Sequence, residues 1–294
     1  MNALAQAIGF GLVTALTLAI STVAVSLQHS VTSVPNLAHG DIMTYGAYVA
    51  YSLSLWTHNL PLEAIAAVAA GAAIAGALNK GLLQPFAKRG SKTVTLLVIT
   101  LACSLILQSV LIGIFTGSTI RFTLPSSSPH KYGPFIFSVR DGVIIAVSIA
   151  VLASVHIVLR YTKFGKAQRA VSDNPELARV SGINSSRVIQ LTWLWAGAMT
   201  GLGGFVLAGQ IGSFTPTIGF YFLFVVYSAA VVGGLGNVYG AVIGALIIGV
   251  GTSVAGLYVP GDYAQSLAFV VLILTLLFRP AGFFASRTRV VADL

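Results

Sequence analysis

Apolar runs about 20 residues long, the span of a bilayer core, dominate this chain at 7–27, 62–79, 93–115, 142–159, 189–208 and 264–278. Shorter or glycine-broken runs occupy 42–56 and 220–257, the second long enough for two spans joined within 233–240. Such runs predict an all-α, polytopic integral membrane protein with about 8–10 transmembrane helices, some of them broken. The whole chain, 1–294, reads as one membrane domain.

Charge supports the same reading. Only 8% of residues are charged and mean hydropathy is +0.91, whereas a soluble domain carries about 25% charged residues. A net charge of +9 would point to nucleic acid in a soluble protein. Here the Lys and Arg residues collect in a few loops between apolar runs, so membrane topology accounts for them and no nucleic-acid partner is implied. The single cysteine, Cys103, lies inside an apolar run, which excludes an internal disulfide and leaves packing as its role, with no metal site. No Lys or Arg precedes Lys80, so the apolar stretch at 7–27 lacks the basic start of a signal peptide and is read as a retained span.

Basic loops set the orientation. Lys80, Lys88, Arg89 and Lys92 mark one cytoplasmic loop, 160–188 a second, and Arg279, Arg287 and Arg289 a cytoplasmic tail at 279–294. By parity the loop 116–140 is external, although it also holds Arg121, Lys131 and Arg140. Its Ser, Pro and Tyr content predicts ordered surface structure, as a plain connection or as a seat for an external partner.

The stretch 160–188 is the one long polar passage. Asp173 and Asn174 are helix-capping types, Pro175 suits a first helical position, and Glu176 stands three after Asp173 as in a capping box. Gly182 would close a helix of about two turns. Leu177, Val180 and Ile183 give it an apolar patch flanked by Glu176 and Arg179. A short capped helix between two spans reads as a mechanical contact for another protein, or as an ordinary solvated loop.

Two breaks in the apolar pattern are candidates for a solute pathway. In VPNLAHGDIMTYGAY, residues 34–48, Pro35 and Gly40 interrupt helical bonding while Asn36, His39 and Asp41 bring polar groups to apolar flanks. Broken helices at membrane depth line watery cavities or are buried in protein. The bland reading is an interfacial turn with His39 as a hydrogen-bonded structural residue. The second break, GGLGNVYGAVIGA at 233–245, holds Gly236 and Asn237 and shares Tyr-Gly-Ala (Tyr239 to Ala241) with the first (Tyr45 to Ala47). Gly236, Gly240 and Gly244, like Gly197 and Gly201, recur at a spacing of four and predict close helix packing. Gln108 and His156, isolated polar residues in spans, read as helix-to-helix hydrogen bonds.

Enzyme signatures are weak. The glycines near Gly234 lack the Lys and Ser or Thr of a phosphate loop, and there is no His-Glu-x-x-His pair. Ser253 with His156 is a distant likeness to an intramembrane protease, against a plain hydroxyl within a helix. The chain is therefore read as a non-enzyme without catalytic residues.

These motifs have a known counterpart. NLAHGDIMTYGAYVA (36–50), RAVSDNPELARVSGINSSRV (169–188), and GGLGNVYGAVIGA with LLFRPAGFF (276–284) resemble blocks of the inner-membrane permeases of branched-chain amino acid ABC importers, over nearly the full length. The first block is similar to the shorter of the two permease types. Glu176, Ala178 and Gly182 match the opening of the importer coupling motif, Glu-Ala-Ala then Gly. Leu177 replaces the middle alanine and the later Ile-x-Leu-Pro is missing.

The resemblance implies an ABC-importer permease fold in the plasma (inner) membrane, multi-pass, with a cytoplasmic C-terminus. It implies that Arg169, Ala170, Pro175, Glu176, Ala178, Gly182, Ile183 and Asn184 couple the chain to two separate ABC ATPase subunits, with ATP and Mg held there and no cofactor on this chain. A second permease subunit, identical or related, and an external solute-binding protein would complete the importer. Asn36, His39, Gly40, Gly236 and Asn237 are the expected pathway residues, for branched-chain or similar amino acids. The rival readings are a permease for another small neutral solute, such as urea, an amide, a sugar or a nucleoside, and an ion-coupled secondary carrier. A carrier usually shows acidic residues within its spans, while Glu63, Asp141 and Asp262 fall at predicted span ends.

Overall fold

In the computed structural model, residues 2–122, 124, 130–132, 135–259, 261–279 and 282–284 are described. Their elements in chain order are α1 (Asn2–Thr32), α2 (His39–Thr57), α3 (Leu60–Leu78), a π-helical turn (Asn79–Leu83), α4 (Gln84–Lys88), α5 (Thr93–Phe115), β1 (Ile120–Arg121), β2 (His130–Tyr132), β3 (Phe135–Phe137) and α6 (Val139–Tyr161). There follow α7 (Lys163–Asp173), α8 (Pro175–Val180), α9 (Ser185–Ile211), β4 (Ser213–Phe214), α10 (Ile218–Gly233), α11 (Val238–Ala255) and α12 (Gly261–Phe278). Each predicted apolar run is helical, and 220–257 divides into α10 and α11 as expected. Six helices among the described residues are long and apolar enough to cross a membrane: α1, α3 continued through Lys88, α5, α6, α9 and α11. α10 and Ser266–Phe278 of α12 are shorter apolar helices. The chain is a multi-pass membrane protein.

Several ends follow directly from sequence. Ser138 and Asp141 form a reciprocal capping box at α6: Asp141 N donates to Ser138 Oγ (3.3 Å) and Ser138 N to Asp141 Oδ2 (2.8 Å). Asn59 caps α3, with Pro61 in its first turn.

α1 and α9 form the centre, each 72% buried across its most apolar window, against 22% for α5 and α6 at the periphery. Small residues let backbones meet there, since lipid gives no hydrophobic drive for helix association. A Cβ on Gly197 would lie 2.5 Å from Gly71 O, and one on Gly201 2.1 Å from Ala67 O, so α3 rests on α9 backbone to backbone. Gly240 and Gly244 serve α10 and α11 likewise, against Gly233 and Ala229. Gly236 does not share this role; it stands in the turn before α11 with φ +86°.

The two ends of the bundle differ. At one end β1 pairs antiparallel with β4, Ile120 opposite Phe214, and β2 with β3, Lys131 opposite Ile136. This gives the described part of 116–140 ordered structure, with Phe135 and Phe137 against the start of α1 at Gly9. At the other end the 80–92 connection meets the start of α9, where Gln84 Nε2 donates to the Ser186 carbonyl (3.1 Å). There Lys80, Lys88, Arg89, Lys92, Arg160 and Arg187 are all exposed. Arg160 belongs to α6 and Arg187 to α9, so the polar passage between spans is shorter than 160–188. Arg287, Arg289 and the rest of the predicted tail beyond Phe284 lie outside the described residues.

Candidate functional site

The polar passage folds as two helices rather than one. α7 is strongly amphipathic, burying Gly165, Gln168 and Val171, and Asp173 is its last residue. The expected capping box from Asp173 to Glu176 is therefore not formed. Asn174 is the cap, its Oδ1 accepting from Glu176 N (3.0 Å) and Leu177 N (2.9 Å), with Pro175 at the first helical position. α8 ends on Gly182 at φ +85°. Gly182 N donates to Arg179 O and Ile183 N to Ala178 O, both 3.0 Å, a left-handed closure open to glycine and strained for other residues.

The eight predicted coupling residues divide by exposure. Pro175, Glu176, Gly182 and Asn184 face outward, Asn184 also capping α9 by accepting from Arg187 N (3.0 Å). Ala178 is buried on Val171 and Val188, with Ala170 and Ile183 packed beside them. Arg169 is exposed, yet its Nη1 turns back to the Leu159 carbonyl (2.7 Å) at the end of α6, a favourable place for a cation. Leu177 and Val180, outside the matched positions, are 64% and 87% exposed. The sequence signal for them was the apolar patch. α8 thus shows an apolar tip edged by Glu176 and Arg179, and its inner face is fixed by Ala178.

At the first break α1 ends, Ser33 takes a left-handed φ of +53°, and α2 begins inside the bundle. Asn36, His39 and Asp41 are buried. Asn36 Nδ2 donates to Gln28 Oε1 of α1 (3.1 Å), and the Asn36 carbonyl accepts from Tyr227 OH of α10 (3.1 Å). His39 Nδ1 lies 3.4 Å from Gln28 Oε1, and Thr200 Oγ1 of α9 lies 3.4 Å from both His39 ring nitrogens. From α5, Thr100 Oγ1 accepts from Leu37 N (3.2 Å) and Ser104 Oγ donates to Asp41 Oδ2. Five helices therefore converge on this break through polar groups, the arrangement required of irregular backbone inside a membrane protein. Gln28, Thr200 and Tyr227 were missed by sequence reading; their only signal was a polar atom within an apolar run.

Gly40 is the crossing point of α2 and α10: a Cβ there would lie 2.2 Å from Gly219 O, and one on Gly219 1.9 Å from Gly40 O. A groove of about 310 Å³ opens beside the start of α10, lined by Ile211, Phe214, Thr215, Ile218 and Tyr221 among others. Gly236 and Asn237 are not brought to this centre. They sit past the other end of α10, roughly 20 Å along its axis from Gly219. Asn237 Oδ1 caps α11, accepting from Tyr239 N (3.0 Å) and Gly240 N (3.1 Å), and its Nδ2 donates to the Phe284 carbonyl (2.7 Å).

His156 makes the helix-to-helix bond expected of it, Nδ1 to Tyr239 OH at 3.1 Å. That contact lies at the start of α11, and Ser253 is about 21 Å further along the same helix. The pairing of His156 with Ser253 as a protease dyad is not formed.

Comparison with known proteins agrees with this architecture. Residues 7–276 match the family described as branched-chain amino acid transport system / permease component. The high-affinity branched-chain amino acid transport system permease protein LivH of Salmonella typhimurium is 28% identical over 283 residues, covering 90% of each chain. The probable branched-chain amino acid transport permease protein LivH of Methanocaldococcus jannaschii is 30% identical over 277 residues, covering 90% of this chain and 87% of the relative. Among solved structures, PsaBC from Streptococcus pneumoniae in complex with Fab superposes with a TM-score of 0.52 at 18% identity, over 96% of this chain and 92% of that one; at that identity it speaks for the fold. With the family match running from the first span into the last, the chain belongs to the branched-chain amino acid transport permease family, the membrane component of ABC importers.

Proposed function

We propose that this chain, with a second permease subunit, forms the translocation pathway of an ATP-driven importer for branched-chain or similar amino acids. α8 would be seated in a groove of a separate ABC ATPase subunit, which holds the ATP and Mg. An external binding protein would deliver solute at the end carrying the β pairings, and the basic end would face the cytoplasm with the C-terminus. One observation carries the coupling assignment. A helix of six residues exposes Leu177 and Val180 beyond the bundle while Asn174 and Gly182 fix both its ends. An exposed apolar tip on a rigid stub fits a protein groove better than water.

Closure of the ATPase dimer would displace α8, and with it α9, as a rigid-body change at an interface. The pathway would pass the first break, around Asn36, His39 and Gly40, where α2 and α10 begin within the bundle. Asn237, occupied as a cap, serves the turn at Gly236 rather than the pathway. Exchange of Glu176 or of Gly182 by Ala is expected to leave membrane insertion intact while uncoupling ATP hydrolysis from uptake. The measurement is uptake and hydrolysis by the full complex in proteoliposomes; normal transport by both variants would remove α8 from the coupling role. Titration of the partner binding protein with leucine, a sugar and urea identifies the solute class independently.

A further inference from the structure

The polar passage holds two different helices. Gln168 Nε2 of α7 donates to Ser30 Oγ (3.3 Å), and Ser172 Oγ donates to the Ser30 carbonyl (2.8 Å), so α7 grips the last turn of α1. α8 grips the base of α9, through Ser185 Oγ donating to the Pro175 carbonyl (3.1 Å) and Ala178 packed on Val188. α7 also packs on α9, but by apolar contact, Val171 on Val188 and Phe164 edge-on to Trp195, and its polar tie is to α1. α1 and α9 are the two central helices of the bundle. They are also the two helices that His39 of α2 bridges, from Gln28 on one side to Thr200 on the other.

The geometry is that of a lever with unequal arms. On α1 the tie at Ser30 lies within one turn of Gln28, whereas on α9 the tie at Ser185 lies about four turns from Thr200. A shift of α7 reaches His39 through Gln28 almost directly, while a shift of α8 arrives as a tilt of α9. Gln168, Ser30, Gln28 and His39 are 3%, 4%, 1% and 0% exposed. At that burial a bond broken among them would leave polar groups away from solvent, so the groups stay together more readily than they part.

We propose that Gln168 and Ser172 are positioning residues of the transport cycle. They make the end of α1 follow α7, and His39 turns relative movement of α1 and α9 into movement of α2 at the first break. This rests on the ATPase-coupling reading given above.

The test uses the full complex in proteoliposomes, with Gln168→Met, which keeps the volume and removes the amide, combined with Ser172→Ala. The expected result is uptake lowered about tenfold with ATP hydrolysis within about twofold of the parent and the ATPase still co-purifying. Adding Gln28→Met on α1 should give little further loss, because all three changes interrupt one path. Unchanged uptake, uptake and hydrolysis falling in parallel, or a multiplicative further loss with Gln28→Met would each overturn the proposal. Should the combined variant not assemble, Ser172→Ala alone at its half-buried position carries the same expectation at a smaller size. An unaltered complex that neither binds an ATPase nor transports would instead defeat the coupling reading itself.

Discussion

The two breaks in the helical pattern, at 33–38 and 234–237, each hold an asparagine and end in opposite physical states. The first is held by side chains of other helices: Gln28 on Asn36, Thr100 on Leu37 N, Tyr227 on the Asn36 carbonyl. The second is held by its own backbone, Gly234 N to Val231 O and Asn237 N to Gly234 O, both 3.1 Å, and by the segment that follows α12, Phe283 N to Val232 O at 3.0 Å. One is a buried junction whose bonds tie five helices together. The other is a turn. Proline, glycine and asparagine report that a helix stops; what surrounds the stop decides whether it can carry function.

The largest expected effect attacks the junction at its tightest point. Gly219→Ala places a Cβ 1.9 Å from Gly40 O and 2.3 Å from Thr44 Oγ1. Backbone cannot yield as a flexible side chain does, so α2 and α10 must separate, at a cost of about 3 kcal/mol or more. Thermal unfolding in detergent should show a large fall in midpoint together with poor recovery of monodisperse protein. A midpoint close to the parent would mean that the crossing is loosely held. Next in size is His39→Leu, which keeps much of the volume but leaves Gln28 and Thr200 short of a partner. About 1–2 kcal/mol of destabilisation is expected, with intramembrane hydrogen bonds at the lower end of that range. Uptake by the complex should fall further than this stability loss explains, since the ring bridges α1 and α9. A variant as destabilised as expected yet fully active in uptake would reduce the first break to a structural junction, like the second.

Much of the fold was legible because lipid imposes a simple rule: apolar length makes a span, and all the runs named from sequence are helical. Close packing at Gly197, Gly201, Gly240 and Gly244 was legible for a related reason, since a spacing of four lines up one face. Gly236 shares the spacing and breaks the rule, because the helix begins only after it, at Val238. The division of the polar passage into α7 and α8 was not legible. Asp173 and Asn174 are equally good caps by type, and the choice fell to Asn174 because α7, buried through Gly165, Gln168 and Val171, extends as far as Asp173. The polar convergence on His39 was hidden for a deeper reason. Gln28, Thr200 and Tyr227 sit far apart in the chain, and no local pattern states which helices will be neighbours.

The smallest effects belong to the turn, and they sharpen the contrast most. Asn237→Ala removes the cap of α11 and the bond to the Phe284 carbonyl, worth about 1 kcal/mol. Gly236→Ala places a side chain at φ +86°, where the left-handed conformation costs roughly 1 kcal/mol. Both should lower the unfolding midpoint slightly, and both should leave uptake by the complex within about twofold, because the turn lies roughly 20 Å along α10 from the Gly40 crossing. Asn237 ties α11 to the segment after α12, and if α12 moves during transport, that tie is part of the machinery. Uptake that collapses in Asn237→Ala but survives in Gly236→Ala would assign the coupling to the amide that reaches Phe284 rather than to the turn, and the second break would join the first as a moving part.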